Sequence, residues 1–180
     1  MSRVSVDAPP RVGRTVWLTG LPSAGKTTIA RGLAERLRQA GRAVEVLDGD
    51  EVRAALSAGL GFSREDRDEH VRRIGYVADL LSRNGIVAVC PVIAPYREAR
   101  DQVRARHGDR FVEVWVSTPV DECATRDVKG LYARQRAGEL RGLTGVDDPY
   151  EPPLAPEVEV PTHRLGVEES VDLVWQALNR

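Results

Sequence analysis

Lysine is almost missing from this 180-residue chain: Lys26 and Lys129 are the only two among 26 basic residues, and all the others are arginine. Such a bias follows from a composition that favours arginine codons, so each lysine that persists marks a place where a guanidinium will not serve. A compact ammonium fits among phosphate oxygens where a planar fork does not. Cysteine is as scarce. Cys90 falls in an apolar run and Cys123 in a helical pattern, which excludes a disulfide framework and predicts two packed, reduced thiols in a cytoplasmic protein. No apolar run reaches the ~18 residues of a membrane span, and the first residues lack the apolar core of a signal peptide. A net charge of -1 and a pI near 6.3 exclude a global attraction to nucleic acid or an anionic membrane, so any basic site is local. Repeats, low-complexity tracts, a Cys/His metal cluster and a Ser-His-Asp arrangement are all missing from the sequence.

What is present is concentrated at Gly20-Leu21-Pro22-Ser23-Ala24-Gly25-Lys26-Thr27, which fits G-x-x-x-x-G-K-[ST] directly after an apolar run. In such a loop the glycines let backbone N–H groups turn toward phosphate oxygens, and the following helix aims its positive end at the same point. Gly20, Ser23, Ala24, Gly25, Lys26, Thr27 and Thr28 are therefore the expected phosphate-binding residues. Lys26, read as an exposed loop lysine, reaches the β- and γ-phosphates, and the Thr27 hydroxyl is a ligand for Mg²⁺. Lysine scarcity alone flags Lys129 as a second phosphate contact.

Strands and helices alternate along the chain. Runs at 16–19, 43–47, 86–93 and 111–116, with a weaker one at 163–165, read as strands; patterns at 26–39, 64–83, 97–106 and 168–178 read as helices. This βαβα order predicts an α/β fold, a parallel sheet sandwiched between helices with ligands at the carboxyl ends of the strands. One domain over 14–180 suits the length, which buries about 70% of the unfolded surface without staples. Residues 1–13, with Pro9 and Pro10, read as a flexible leader. The stretch 126–161, rich in Gly, Pro and charge, is too long for an ordinary connection and reads as a mobile lid.

Two further segments carry chemistry. Asp48-Gly49-Asp50 closes the second strand beside the phosphate loop, where two carboxylates can hold hydrated Mg²⁺ and take a proton from an attacking hydroxyl. Phe62 sits in a loop, where its ring offers a stacking surface for a base. On the helix that follows, Arg67 and His70 share the stripe that carries Val71, Ile74 and Ala78 inward, and a buried arginine requires an anion.

Together the phosphate loop, Leu47-Asp48-Gly49-Asp50-x-Val52-Arg53, Leu60-Gly61-Phe62-Ser63 with Asp66-Arg67, Ile93-x-Pro95-Tyr96-Arg97, Arg126-Asp127-x-Lys129-Gly130-Leu131-Tyr132 and Thr144-Gly145-x-Asp147-Asp148-Pro149-Tyr150-Glu151 resemble the adenylylsulfate kinase family of P-loop kinases. The resemblance implies a single P-loop kinase domain that transfers the γ-phosphoryl of ATP, with Mg²⁺, to the 3′-hydroxyl of adenosine 5′-phosphosulfate. It implies that Asp50 serves the 3′-hydroxyl, that Asp48 holds a Mg²⁺ water and that Lys26 and Lys129 complete the catalytic set. Arg53, Phe62, Arg67, His70 and Ile93 become substrate contacts, joined by the lid residues Lys129, Gly130 and Leu131. Arg126 and Arg134 fall near ATP. A homodimer and a functional link to ATP sulfurylase are also implied. Three positions depart from the family pattern: Pro91 for Ser, Leu143 for Phe and His70 for Asn. Because His70 changes the pocket's hydrogen bonding, a kinase for another nucleotide conjugate stays open, as does a nucleotide-binding regulatory module without turnover.

Overall fold

The computed structural model describes residues 13–180. Five parallel strands, β1 (Thr15–Thr19), β2 (Val44–Val46), β3 (Val87–Pro91), β4 (Phe111–Trp115) and β5 (Val158–Glu159), form one sheet in the order β2-β3-β1-β4-β5. The chain leaves β1 toward one edge, returns through β3 and then crosses to β4. The carboxyl end of β1 is thus the point where strand order reverses, and the phosphate loop begins there.

The α1 (Lys26–Gln39) and α7 (Val167–Leu178) helices contribute to one face, while α3 (Arg64–Arg83) and α4 (Arg97–His107) cover the other. Strand side chains divide between two cores by simple alternation. Val16, Leu18, Val87, Val89, Val112 and Val114 pack with Ile29, Leu33 and Leu37 of α1 and Val174 of α7. Trp17, Ala88 and Cys90 pack the other way, onto Val71, Ile74 and Ala78 of α3 and Val103 of α4. Burial on both faces explains why these strands read as unbroken apolar runs. Close packing of α3 on α4 requires Gly75, where a Cβ would come within 2.7 Å of Val103.

Three short helices complete the chain: α2 (Gly49–Leu56), α5 (Val120–Arg126) and α6 (Leu131–Arg136). The expected fifth strand at 163–165 is instead a turn, and the strand lies at Val158–Glu159. With Pro156 and Pro161 on either side, β5 keeps only two residues and lacks a legible run. The stretch 126–161 is also more structured than a bare lid, since it carries α6, a bridge between Thr144 and Asp148, and β5. The expected leader at 1–12 lies outside the described residues. Gly13, its predicted last residue, is packed: a Cβ there would meet the Ser82 carbonyl at 2.1 Å.

Candidate active site

The phosphate loop is shaped by two backbone conformations that disfavour side chains: Gly20 at φ 156° and Gly25 at φ 106°. At Gly20 a Cβ would approach the Val116 carbonyl to 2.6 Å, so the residue that follows β4 lies against the start of the loop. Gly25 caps α1 without a side-chain hydrogen bond, and the first turn of α1 holds no acidic residue. The helix start therefore offers free N–H groups and uncancelled positive potential, the requirement for an anion.

Lys26 differs from the exposed lysine expected: it is only 8% exposed. Its Nζ donates to the carbonyls of Gly20 at 2.9 Å and Leu21 at 2.6 Å, curled back over its own loop. Burial lowers its pKa to about 8, with the nearby Asp48 and Asp50 charges acting against that fall. Thr27 donates from Oγ1 to Oδ2 of Asp48 at 3.2 Å, and the other oxygen of Asp48 accepts from the Asp50 N–H at 3.0 Å as the cap of α2. One carboxylate, two residues beyond β2, thus starts α2 and meets the loop hydroxyl. The Thr27 and Asp48 oxygens fit the needs of Mg²⁺, a hard ion that takes few protein ligands and keeps waters.

Across the site, Asp50 forms an ion pair with Lys129, which lies between α5 and α6. That turn is fastened to three consecutive residues of the phosphate loop. Tyr132 donates from Oη to the Pro22 carbonyl at 3.0 Å, the Val128 N–H to Oγ of Ser23 at 3.3 Å, and Arg126 from Nη1 to the Ala24 carbonyl at 3.3 Å. Asp127 caps α6 by accepting from the N–H groups of Tyr132 and Ala133, with Gly130 at φ 66° between them. Leu131 packs onto the first core, whereas Arg134 lies exposed on α6.

Phe62 is 68% exposed, with the guanidinium of Arg53 4.7 Å and that of Arg67 5.7 Å from its ring centroid. Burial and the adjacent charge of Arg67 lower the pKa of Arg53. The buried Arg67 finds its partners within the chain. It donates to the carbonyls of Phe62 at 2.9 Å and Gly142 at 2.7 Å and to Oγ1 of Thr144 at 2.7 Å, and lies 3.3 Å from Oδ2 of Asp148. Its face toward Phe62 joins the 142–148 segment to the start of α3. A cleft of about 450 Å³ opens beside that segment, lined by Leu21, Gly145, Asp148 and Tyr150 among others.

The family model described as adenylylsulphate kinase fits residues 12–161. An adenylyl-sulfate kinase of Rippkaea orientalis is 58% identical over 166 residues, spanning 92% of this chain and 91% of its own. The chain belongs to the adenylylsulfate kinase family. A Mycobacterium tuberculosis APS kinase, solved in complex with AMPPNP and APS, superposes with a TM-score of 0.90 at 41% identity, over 96% of this chain and 100% of that one. A hexameric APS kinase from Thiobacillus denitrificans superposes with a TM-score of 0.72 at 40% identity, over 94% of this chain and 29% of that one.

At the three positions that depart from the adenylylsulfate kinase pattern, the side chains are used within the protein. Pro91 ends β3 and is buried. Leu143 is part of the first core, and its carbonyl accepts from the N–H groups of Val146, Asp147 and Asp148. His70 is 5% exposed, 3.1 Å through Nε2 from the Gly49 carbonyl and 3.0 Å through Nδ1 from Oγ of Ser57. Burial first, and then the charge of Arg53, lowers its pKa to about 4. Ile93 is half-buried and its carbonyl accepts from Oγ1 of Thr19 at 2.6 Å.

Sequence reasoning missed the support behind that segment. Arg100, 1% exposed, donates to Glu113 at 3.0 Å and to the carbonyls of Ala94 at 2.6 Å and Glu151 at 2.5 Å. Tyr150 and Thr19 share a hydrogen bond of 3.0 Å, and Glu151 accepts from the Arg97 N–H at 2.7 Å. A glutamate inside the apolar run of β4 was the available signal. A buried carboxylate needs a cation; Arg100 pairs with one oxygen of Glu113 and Arg104, at 3.1 Å, with the other.

Proposed function

We propose that the chain transfers the γ-phosphoryl group of ATP directly to the 3′-hydroxyl of adenosine 5′-phosphosulfate, with Lys26, Asp48, Asp50 and Lys129 as the catalytic set. The observation that carries this reading is the meeting of two linked pairs at the carboxyl end of the sheet: Thr27 with Asp48, and Asp50 with Lys129. Loop N–H groups and the buried ammonium of Lys26 are suited to neutralise the moving phosphoryl group, and Lys129 supplies a second charge from the opposite side. Asp50 orients the acceptor hydroxyl and takes its proton as the new P–O bond forms and the bond to the β-phosphate oxygen breaks, releasing ADP. Thr27 directly and Asp48 through water would hold Mg²⁺, which when bound supplies Lewis-acid stabilisation of the phosphate charge. Most of the rate then comes from positioning in a site with little water.

Phe62, beside the guanidiniums of Arg53 and Arg67, is suited to stack the adenine of the sulfonucleotide, and the same guanidiniums to face its anionic group. Ile93 and the Gly130–Leu131 start of α6 line the approach, while Arg126 and Arg134 lie on the ATP side. Pro91 has no hydroxyl, in keeping with transfer that skips a phosphoenzyme. Mass spectrometry of the products tests the reaction: ATP, Mg²⁺ and adenosine 5′-phosphosulfate should give ADP and a product heavier by one phosphoryl group on the ribose. ADP formed at the same rate without the sulfonucleotide would contradict it. Homodimer formation and a link to ATP sulfurylase belong to the same reading; light scattering and co-purification test them.

A further inference from the structure

We infer that His70 is a positioning residue that clamps α2, and with it Asp50, onto α3. Among the elements that carry the site, α2 is weakly anchored: Val52 is its one buried residue, and Asp50, Glu51, Ala54, Ala55 and Leu56 are exposed. Eight residues do not hold a helix by propensity. Yet this helix sets where the Asp50 carboxylate stands relative to an attacking hydroxyl.

His70 grips both ends of α2 from within. Its Nε2 donates to the carbonyl of Gly49, the residue between Asp48 and Asp50, and its Nδ1 accepts from the hydroxyl of Ser57, the C-terminal cap. A carbonyl only accepts, so Nε2 carries the hydrogen, and the Nδ1 lone pair is left for the buried Ser57 hydroxyl. Arg73, one turn further along α3, donates to the Leu56 carbonyl at 2.5 Å and assists at the far end. Among the described residues of α3, His70 is the one that hydrogen-bonds the end that bears the carboxylates, where its bond is to the backbone of Gly49. With both ring nitrogens committed to the protein, His70 has no polar atom left for a substrate. It stands behind the pocket as a brace, where the sequence had suggested a contact.

The inference rests on Asp50 serving the acceptor hydroxyl, so the test has two independent readouts. Long-range ¹⁵N–¹H spectra of the full-length, ¹⁵N-histidine-labelled protein at pH 7, assigned with His70→Asn, should show His70 protonated at Nε2 alone. Ser57→Ala should shift the Nδ1 resonance. An Nδ1–H tautomer or an imidazolium would overturn the clamp whatever the catalytic behaviour. In turnover assays with ATP and adenosine 5′-phosphosulfate, His70→Ala should lower kcat tenfold or more with both KM values within about threefold, and His70→Asn should recover part of the loss. Added to Asp50→Asn, His70→Ala should cost less than threefold more. A change confined to KM for the sulfonucleotide, or full additivity with Asp50→Asn, contradicts the positioning role. A wild-type enzyme that ignores the sulfonucleotide contradicts the proposed reaction instead and leaves the tautomer measurement standing.

Discussion

Lys26 shows how a functional residue can work against the fold that holds it. Its pKa falls from 10.5 to about 8 on burial, so below pH 8 the folded protein carries a penalised charge, on the order of 3 kcal/mol. That penalty fades as pH rises from about 8 toward the unfolded value. Lys26→Met keeps the bulk and removes the charge, so it should abolish transfer while Tm at pH 7 stays equal or rises. The advantage of the variant should shrink at pH 9.5. A Tm several degrees lower at pH 7 would show that the two carbonyl contacts outweigh the buried charge. Asp50, by contrast, is exposed and contributes little to packing. Asp50→Asn should lower kcat by at least two orders of magnitude with small changes in either KM, because its bond to the hydroxyl strengthens as the transition state forms. A purely KM effect would reduce it to substrate binding.

At the scale of elements, the turn between α5 and α6 matters most. Its three hydrogen bonds to Pro22, Ser23 and Ala24 fix the turn that carries Lys129, so charge delivery depends on the loop it serves. Lys129→Ala should cut kcat sharply, and Lys129→Arg should restore only part, since a planar fork cannot occupy the place of a compact ammonium. Full rescue by arginine, in steady-state assays, would show that charge alone suffices. Lysine scarcity made Lys129 legible without any knowledge of its surroundings, and strong periodicity gave α1 and α3 their observed ends. Short elements were less legible. The eight residues of α2 begin at an Asp-Gly-Asp turn whose first carboxylate is both cap and site residue, so local chemistry masked the helix. Arg67 was legible as inward-facing from its stripe, but its partners, Gly142, Thr144 and Asp148, lie more than seventy positions away, beyond the reach of periodicity.

For the whole molecule, the parallel sheet explains why distant motifs converge. β1 lies between β3 and β4, so the loops after β1, β2 and β3 and the 142–151 segment crowd one end of the sheet. The buried Arg100–Glu113 pair locks that crowding in place. Breaking it with Arg100→Ala would leave Glu113 with Arg104 alone and the carbonyls of Ala94 and Glu151 without the Arg100 donor, and should cost about 1–3 kcal/mol of stability, read as a lower denaturation midpoint. Retained stability would show that Arg104 alone suffices for Glu113. The parallel sheet was legible from βαβα order, whereas its strand order and the Arg100 network were not, the latter because its sequence signal was a single glutamate in an apolar strand. Phosphoryl transfer to the sulfonucleotide is tested most directly by the rate of ADP formation by the purified protein with ATP and Mg²⁺, before and after addition of adenosine 5′-phosphosulfate. Addition should give a large, saturable increase matched mole for mole by 3′-phosphorylated sulfonucleotide; an unchanged rate, with the added sulfonucleotide recovered intact, would rule the proposed transfer out.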